Sequence, residues 1–360
     1  MTRLLGLYLP QFHPIPENDE WWGKGFTEWT NVTRAQPQFR GHYQPHLPGE
    51  LGFYDLRLPE VRIQQAALAR EYGLAGFCYY HYWFNGRLLL ERPLREVLES
   101  GAPDFPFCIC WANENWTRTW TGGNAEILLE QHYSSDDDRE HIRWLLPYLK
   151  DRRYVTIQGK PVLMIYRTGL LPDPRSTLAI FREEAAAAGL PGLYLIRMES
   201  NFPGEDSSPT ELGFDAAMEF QPRMVGEPLP TWAKGKTRYL LPTAFRRNKI
   251  RDYDEMVRLA LARPAPAYKR FSCVSPGWDN TCRRLPRLAA NIWINSTPEK
   301  YQGWLYETLR RFEPFGPDED LVLVNAWNEW AEGNHLEPDR KWGRAYLEAT
   351  RRALVGAARP

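Results

Sequence analysis

The sequence carries no excess of charge. Its 45 basic and 45 acidic side chains cancel, which excludes a general attraction to nucleic acid or to an anionic membrane. It has no apolar run of membrane-spanning length, and Met1-Thr2-Arg3 leads straight into an apolar stretch without the profile of a signal peptide. These absences predict a soluble chain in the cytoplasm, or in the periplasm or outside the cell had a leader been removed. Cysteine is scarce and odd in number: Cys78, Cys108, Cys110, Cys273 and Cys282. The first four fall in runs that read as buried strands, which predicts free thiols in reducing surroundings. Cys108 and Cys110 lack the second pair that a zinc site needs. No glycine-rich phosphate loop follows any strand, and no set of His, Asp and Glu has metal-ligand spacing. Neither a metal nor a cofactor is expected.

What is abundant is aromatic: 15 Trp, 18 Tyr and 16 Phe. Trp21, Trp22, Trp29, Trp83, Trp111, Trp116, Trp120, Trp278 and Trp327 stand among polar residues. Each alone reads as ordinary packing. As a set they suit a sugar, which offers C–H faces to rings and hydroxyl edges to polar groups. An oligo- or polysaccharide is thus the expected partner.

Strand-like runs occupy 4–9, 74–83, 105–111, 161–166, 193–198, 214–220, 270–274 and 321–324, mostly separated by helices. Pro59 and Gly73 bracket one helix, and Gly101 ends a short one. Ser135 is expected to cap a helix whose first turn holds Asp136, Asp137 and Asp138 on a solvated face. Asp252 caps another, and Ser296-Thr297-Pro298-Glu299 reads as a capping box. Eight alternations without a linker or composition shift predict a single (β/α)8 barrel over residues 1–360. An open doubly wound sheet is the other fold considered. Long loops follow the first, third, sixth and seventh strands, while helix-to-strand links are short, so one barrel face, the C-terminal one, is expected to hold the site. The first loop, 10–57, reads as a long structureless segment, normally a functional one.

On that face the first strand brings Gln11 and His13, with Glu28 and Trp29 in the loop behind them. The second brings Tyr79, His81 and Trp83; the third Trp111, Asn113, Glu114 and Trp116. Glu199 and Glu219 end the fifth and sixth strands, and Trp278, Asp279 and Asn280 follow the seventh. The eighth, Leu321 to Val324, breaks abruptly into Asn325, Trp327, Asn328, Glu329 and Glu332. Carboxylates, amides and aromatics without a basic cluster point to a neutral sugar rather than a phosphate. His13 and His81 also read as satisfied core or loop histidines, Tyr79 and Trp111 also as packing, and Glu28 also as loop support. Glycoside cleavage needs one carboxyl to protonate the leaving oxygen and a second at the anomeric centre. Glu329 and Glu332, at i and i+3 in one helical turn, lie about 5–6 Å apart at Cβ, and such closeness raises one pKa. A buried polar network is the plainer alternative.

The run Asn328-Glu329-Trp330-Ala331-Glu332-Gly333-Asn334-His335-Leu336-Glu337-Pro338 resembles the N-E-W-x-E-G…E-P signature of glycoside hydrolase family 99. The whole chain is still more similar to WbsX-like proteins of polysaccharide and O-antigen clusters, often labelled glycosyltransferases. That likeness rests on Tyr8-Leu9-Pro10-Gln11-Phe12-His13-Pro14, Gly25-Phe26-Thr27-Glu28-Trp29-Thr30-Asn31-Val32 and Trp111-Ala112-Asn113-Glu114-Asn115-Trp116. The family 99 resemblance implies retention on a manno-configured sugar, D-mannose or D-rhamnose, through a 1,2-anhydro intermediate. Glu329 would then act as base through the 2-hydroxyl and Glu332 as acid/base. Ala331 departs from the family, which commonly has His there. Glu337 reads as loop support, with Pro338 fixing the turn. A glycosyltransferase and a silent glycan-binding barrel are the rival functions.

Overall fold

The computed structural model of the chain describes residues 2–118, 126–200, 207–229, 241–284 and 288–358; Trp120 lies outside them. Eight parallel strands close into a barrel, as the alternation predicts: β1 (Arg3–Tyr8), β2 (Gly76–Phe84), β3 (Phe107–Trp111), β4 (Lys160–Ile165), β5 (Tyr194–Glu199), β6 (Ala216–Glu219), β7 (Arg270–Val274) and β8 (Leu321–Val324). The seam is β1, which pairs with β8 on one side and β2 on the other. Leu321 to Val324 are all fully buried, so a continuous apolar run is what a strand packed on both faces requires. All five cysteines are free and buried. Cys78 on β2 meets Met164 on β4 at 3.8 Å.

Seven longer helices surround the strands: α1 (Pro59–Glu71), α2 (Arg92–Ser100), α3 (Ser135–Leu149), α4 (Pro174–Ala187), α5 (Tyr253–Leu261), α6 (Pro298–Arg311) and α7 (Ala345–Ala357). Between β5 and β6 there is no helix among the described residues. None of the helices described is long and apolar enough to cross a membrane.

Local chemistry departs from expectation in four places. Ser134, not Ser135, caps α3, accepting from the Asp137 amide. At the acidic start of α3 only Asp136 is solvated as expected; Asp137 and Asp138 are buried, Trp83 Nε1 donating to Asp137 at 2.9 Å and Thr177 Oγ1 to Asp138 at 2.8 Å. Burial pushes the Asp138 carboxyl up to about 6. Thr297, one residue after the expected Ser296, caps α6, placing Pro298 in the first turn. The loop 10–57 holds two short helices, Pro16–Trp22 and Glu28–Arg34. Thr27 starts the second with a reciprocal capping box that includes Thr30, a pairing of two threonines that the usual Glu or Gln rule does not flag.

Candidate active site

Beyond β8 the chain turns sharply. Asn328 clamps the end of β1: its Oδ1 accepts from the Leu9 amide at 2.7 Å and its Nδ2 donates to the Leu9 carbonyl at 3.0 Å. Glu329 then opens a 3-10 turn, Trp330–Glu332. Both glutamates lie on one side, since a single guanidinium, that of Arg283, reaches the two. Gly333 closes the turn with φ 57°, and a Cβ there would meet Asp279 Cβ at 3.1 Å; the left-handed angle and the tight approach both demand glycine. The turn is stitched to the loop after β7, the Asp279 amide donating to Glu332 O at 2.6 Å and Cys282 Sγ to Ala331 O at 2.8 Å.

Beneath the turn Trp330 stacks on His335 at 3.7 Å and tilts against Trp29 at 5.5 Å. Its indole donates to Glu337, which also accepts from Tyr54 and Gln65. Glu337 supports the loop, tying it to α1 and to the first long loop. Burial pushes its carboxyl up to about 7.

The charge centre is Arg283, on a second 3-10 turn, Thr281–Arg283. It donates to Glu332 at 2.6 Å, to Glu329 at 2.9 Å and to Glu28 at 3.1 Å. All three carboxylates come from different parts of the sequence or of the turn, and one guanidinium cannot neutralise them. Burial therefore raises the carboxyl pKa of both Glu329 and Glu332, Arg283 opposing it and the neighbouring glutamates adding to it. Glu329 is pushed up to about 8. The cluster keeps a proton near neutral pH, as an acid catalyst must.

The pair borders a cavity of about 610 Å³ at the C-terminal ends of the strands. Among the residues expected at the site, Gln11, Glu114, Trp116 and Trp278 line it beside Glu329 and Glu332. Gln11 Nε2 and Trp278 Nε1 are buried donors without a partner among the described residues. Glu114 pairs with Arg167, and burial raises its pKa. Asn113 holds the wall by bonding Tyr133 and the Arg167 backbone, and Glu28 reaches the pair only through Arg283.

The other residues lie elsewhere. Trp29 packs on Phe12, Tyr54 and Trp330. Tyr79 packs on Tyr8; His81 bonds His141 of α3 at 2.9 Å and stacks on Trp144. Trp83 reaches Asp137, and Trp111 packs on His141 and Phe181. Glu219 is paired with Arg263 at 3.0 Å, outside the barrel wall, and Glu199 joins the same cluster. Asn325 donates to Gln221 O, and Trp327 lies in the core against Phe77. His13 is buried away from the cavity, its pKa lowered to about 4 by that burial. Asp279 binds His42 at 2.5 Å and borders a second cavity.

One rule sorts these placements. Neighbours in a strand point to opposite faces, and Tyr79, His81, Trp83, Trp111 and Glu219 all have the outward parity. The cavity takes the alternate residues: Tyr80, Tyr82, Tyr166 and Phe220. Burial, with Glu329 adding for Tyr80 and Tyr82, keeps those hydroxyls protonated as donors. Parity was available to sequence reasoning once Leu7 and Cys78 were placed inside the barrel. Arg283 was not, since it follows no strand directly.

The fold is a (β/α)8 barrel that carries a buried pair of glutamates at the C-terminal ends of its strands. A solved glycoside hydrolase-like protein superposes with a TM-score of 0.63 at 14% identity, covering 98% of this chain and 93% of its own. The family 99 endo-alpha-mannosidase of Bacteroides thetaiotaomicron superposes with a TM-score of 0.57 at 15% identity, covering 99% of this chain and 97% of its own. In sequence, residues 4–350 match the family described as glycosyltransferase WbsX, and the chain belongs to that family. It is 44% identical over 357 residues to the protein WxcX of Xanthomonas campestris pv. campestris, covering 99% of this chain and 50% of WxcX. The chain thus spans about half the length of the curated relatives it matches.

Proposed function

We propose that this chain is a retaining glycoside hydrolase that cleaves α-linked manno-configured residues, D-mannose or D-rhamnose, in a bacterial polysaccharide or O-antigen. The observation that carries the reading is the Glu329–Glu332 pair on one guanidinium, at the wall of a tyrosine-lined cavity. Glu329 takes the proton of the sugar 2-hydroxyl while that oxygen closes on C1. Glu332 gives its proton to the departing glycosidic oxygen. Water then opens the 1,2-anhydro ring at C1, losing a proton to Glu332, while Glu329 returns the other proton to O2. Burial raises both carboxyls of the pair; a substrate hydroxyl donating to Glu329 favours its charged form and leaves the proton on Glu332. The unpartnered donors Gln11 Nε2 and Trp278 Nε1 are suited to sugar oxygens.

The test is Glu332→Gln on a panel of α-linked mannose and rhamnose polysaccharides, with products read by mass spectrometry. A loss of about 10²–10⁴-fold is expected with the fold intact by circular dichroism; unchanged turnover would remove Glu332 from the acid role. The family's description favours a second reading, a glycosyltransferase. The aspartate pairs that such an enzyme would use for a nucleotide-bound metal are engaged elsewhere. The Asp320 carboxylate accepts from Arg3 and that of Asp318 from the Gln158 amide at the opposite end of the barrel, and Asp252 caps α5. Saturable nucleotide-sugar binding by calorimetry, without glycan cleavage, would reverse the ranking.

A further inference from the structure

A second cavity, of about 420 Å³, lies beyond Trp278 on the same face. Its lining includes His46 from the first long loop and His335 and Asp339 from the loop after β8. His46 Nδ1 and His335 Nε2 are 3.0 Å apart. One ligating atom from each of the three, a ring nitrogen of either histidine and an oxygen of Asp339, lies within 4.8 Å of the others. From these three residues we infer a site for one divalent transition cation of the zinc class, bound by two imidazoles and a carboxylate with solvent completing the shell.

The three side chains are presented as such ligands usually are. The Glu337 carbonyl can only accept, so at 2.9 Å it takes the Nδ1 proton of His335 and leaves Nε2 as a bare lone pair facing His46. Backbone acceptors of this kind fix the tautomer of metal-binding histidines. Asp339 is oriented by the Tyr43 hydroxyl at 2.9 Å and the Trp342 amide at 2.5 Å. At a metal–nitrogen distance of about 2.0–2.1 Å, nitrogens 3.0 Å apart subtend about 90–95°, and a few tenths of an ångström of opening reach the tetrahedral angle. Without a cation the contact is a plain imidazole–imidazole hydrogen bond. Lys341, whose ammonium lies over the Tyr43 and Trp342 rings, opposes an ion held by charge alone. That disfavours calcium and favours an ion held through imidazole nitrogen. The consequence is positional: His335 pairs with Asn328 in a short ladder and stacks on Trp330, so the cation would pin the turn that carries Glu329 and Glu332 to the first long loop.

The test uses the purified chain after chelator treatment, titrated with zinc and, separately, with cobalt(II). One equivalent should bind, with the visible absorption of four- or five-coordinate cobalt, and zinc should raise Tm. His46→Gln and Asp339→Asn, each checked for fold by circular dichroism, should weaken binding by more than about 100-fold and abolish the zinc-dependent rise. No cobalt band and no zinc effect on the wild type would overturn the site. So would equal binding by both variants, which would place the ion elsewhere.

Discussion

The two faces of β2 differ in what they do with similar residues. The outward face holds Tyr79, His81 and Trp83, which pack on Tyr8, α3 and the Asp137 carboxylate. The inward face holds Tyr80 and Tyr82, which border the cavity with Glu329. A motif dense in aromatic and polar residues therefore serves two purposes at once, and only the alternation tells them apart. The outward set glues helix to barrel, His81 bonding His141 and Trp83 bonding Asp137, both on α3. The inward set lines the cavity into which the glutamate pair faces.

Substitutions on each side should separate the roles. The largest effect is expected at the centre of the inward side. Arg283→Leu leaves three buried carboxylates uncompensated and should cost about 3–5 kcal/mol in denaturant unfolding. The loss should be smaller at pH 5 than at pH 8, because the carboxyls can then take up protons; an equal loss at both would show that they do not share the charge. On the outward side, Trp111→Ala should cost about 3–5 kcal/mol through its cavity yet leave KM for a cleaved glycan within about threefold of wild type. Tyr82→Phe should do the reverse: little change in Tm, and a fall of about 3–10-fold in kcat/KM for one lost hydrogen bond. If Trp111→Ala shifts KM as much as Tyr82→Phe does, the division between the faces fails.

The smallest effect concerns pH. The folded carboxyl of Glu329 is raised from 4.5 to about 8, so the native state holds a proton that the unfolded chain releases. Stability from this group is full below about pH 4.5 and declines as pH rises toward 8. Glu329→Gln should therefore gain Tm relative to wild type as pH is raised from 5 to 8. A constant difference across that range would mean the group does not titrate there.

The barrel was legible because eight short apolar runs, bounded by capped helices, leave few alternatives. The glutamate pair was legible because its motif directly follows the last of those runs. Tyr80, Tyr82 and Tyr166 were not, because neighbouring Tyr, His and Trp residues look equally suited to a sugar until strand parity is known. Arg283 was missed for a different reason. A lone arginine in a long loop has no local signal, and its three partners lie 255, 49 and 46 residues away. Trp29 read as a sugar platform because its role is long-range too: it supports Trp330 from the far end of the chain.

The clamp of Asn328 on Leu9 joins residues 319 apart in sequence. It is made where the last strand closes against the first, and closing so large a loop is slow compared with local contacts. The turn bearing Glu329 and Glu332 begins one residue later. The glutamate pair thus takes its place only where the last strand meets the first. A chain still emerging from the ribosome, or one caught with seven strands paired, holds its carboxylates apart, so glycan cleavage would report a closed barrel rather than a collapsed one.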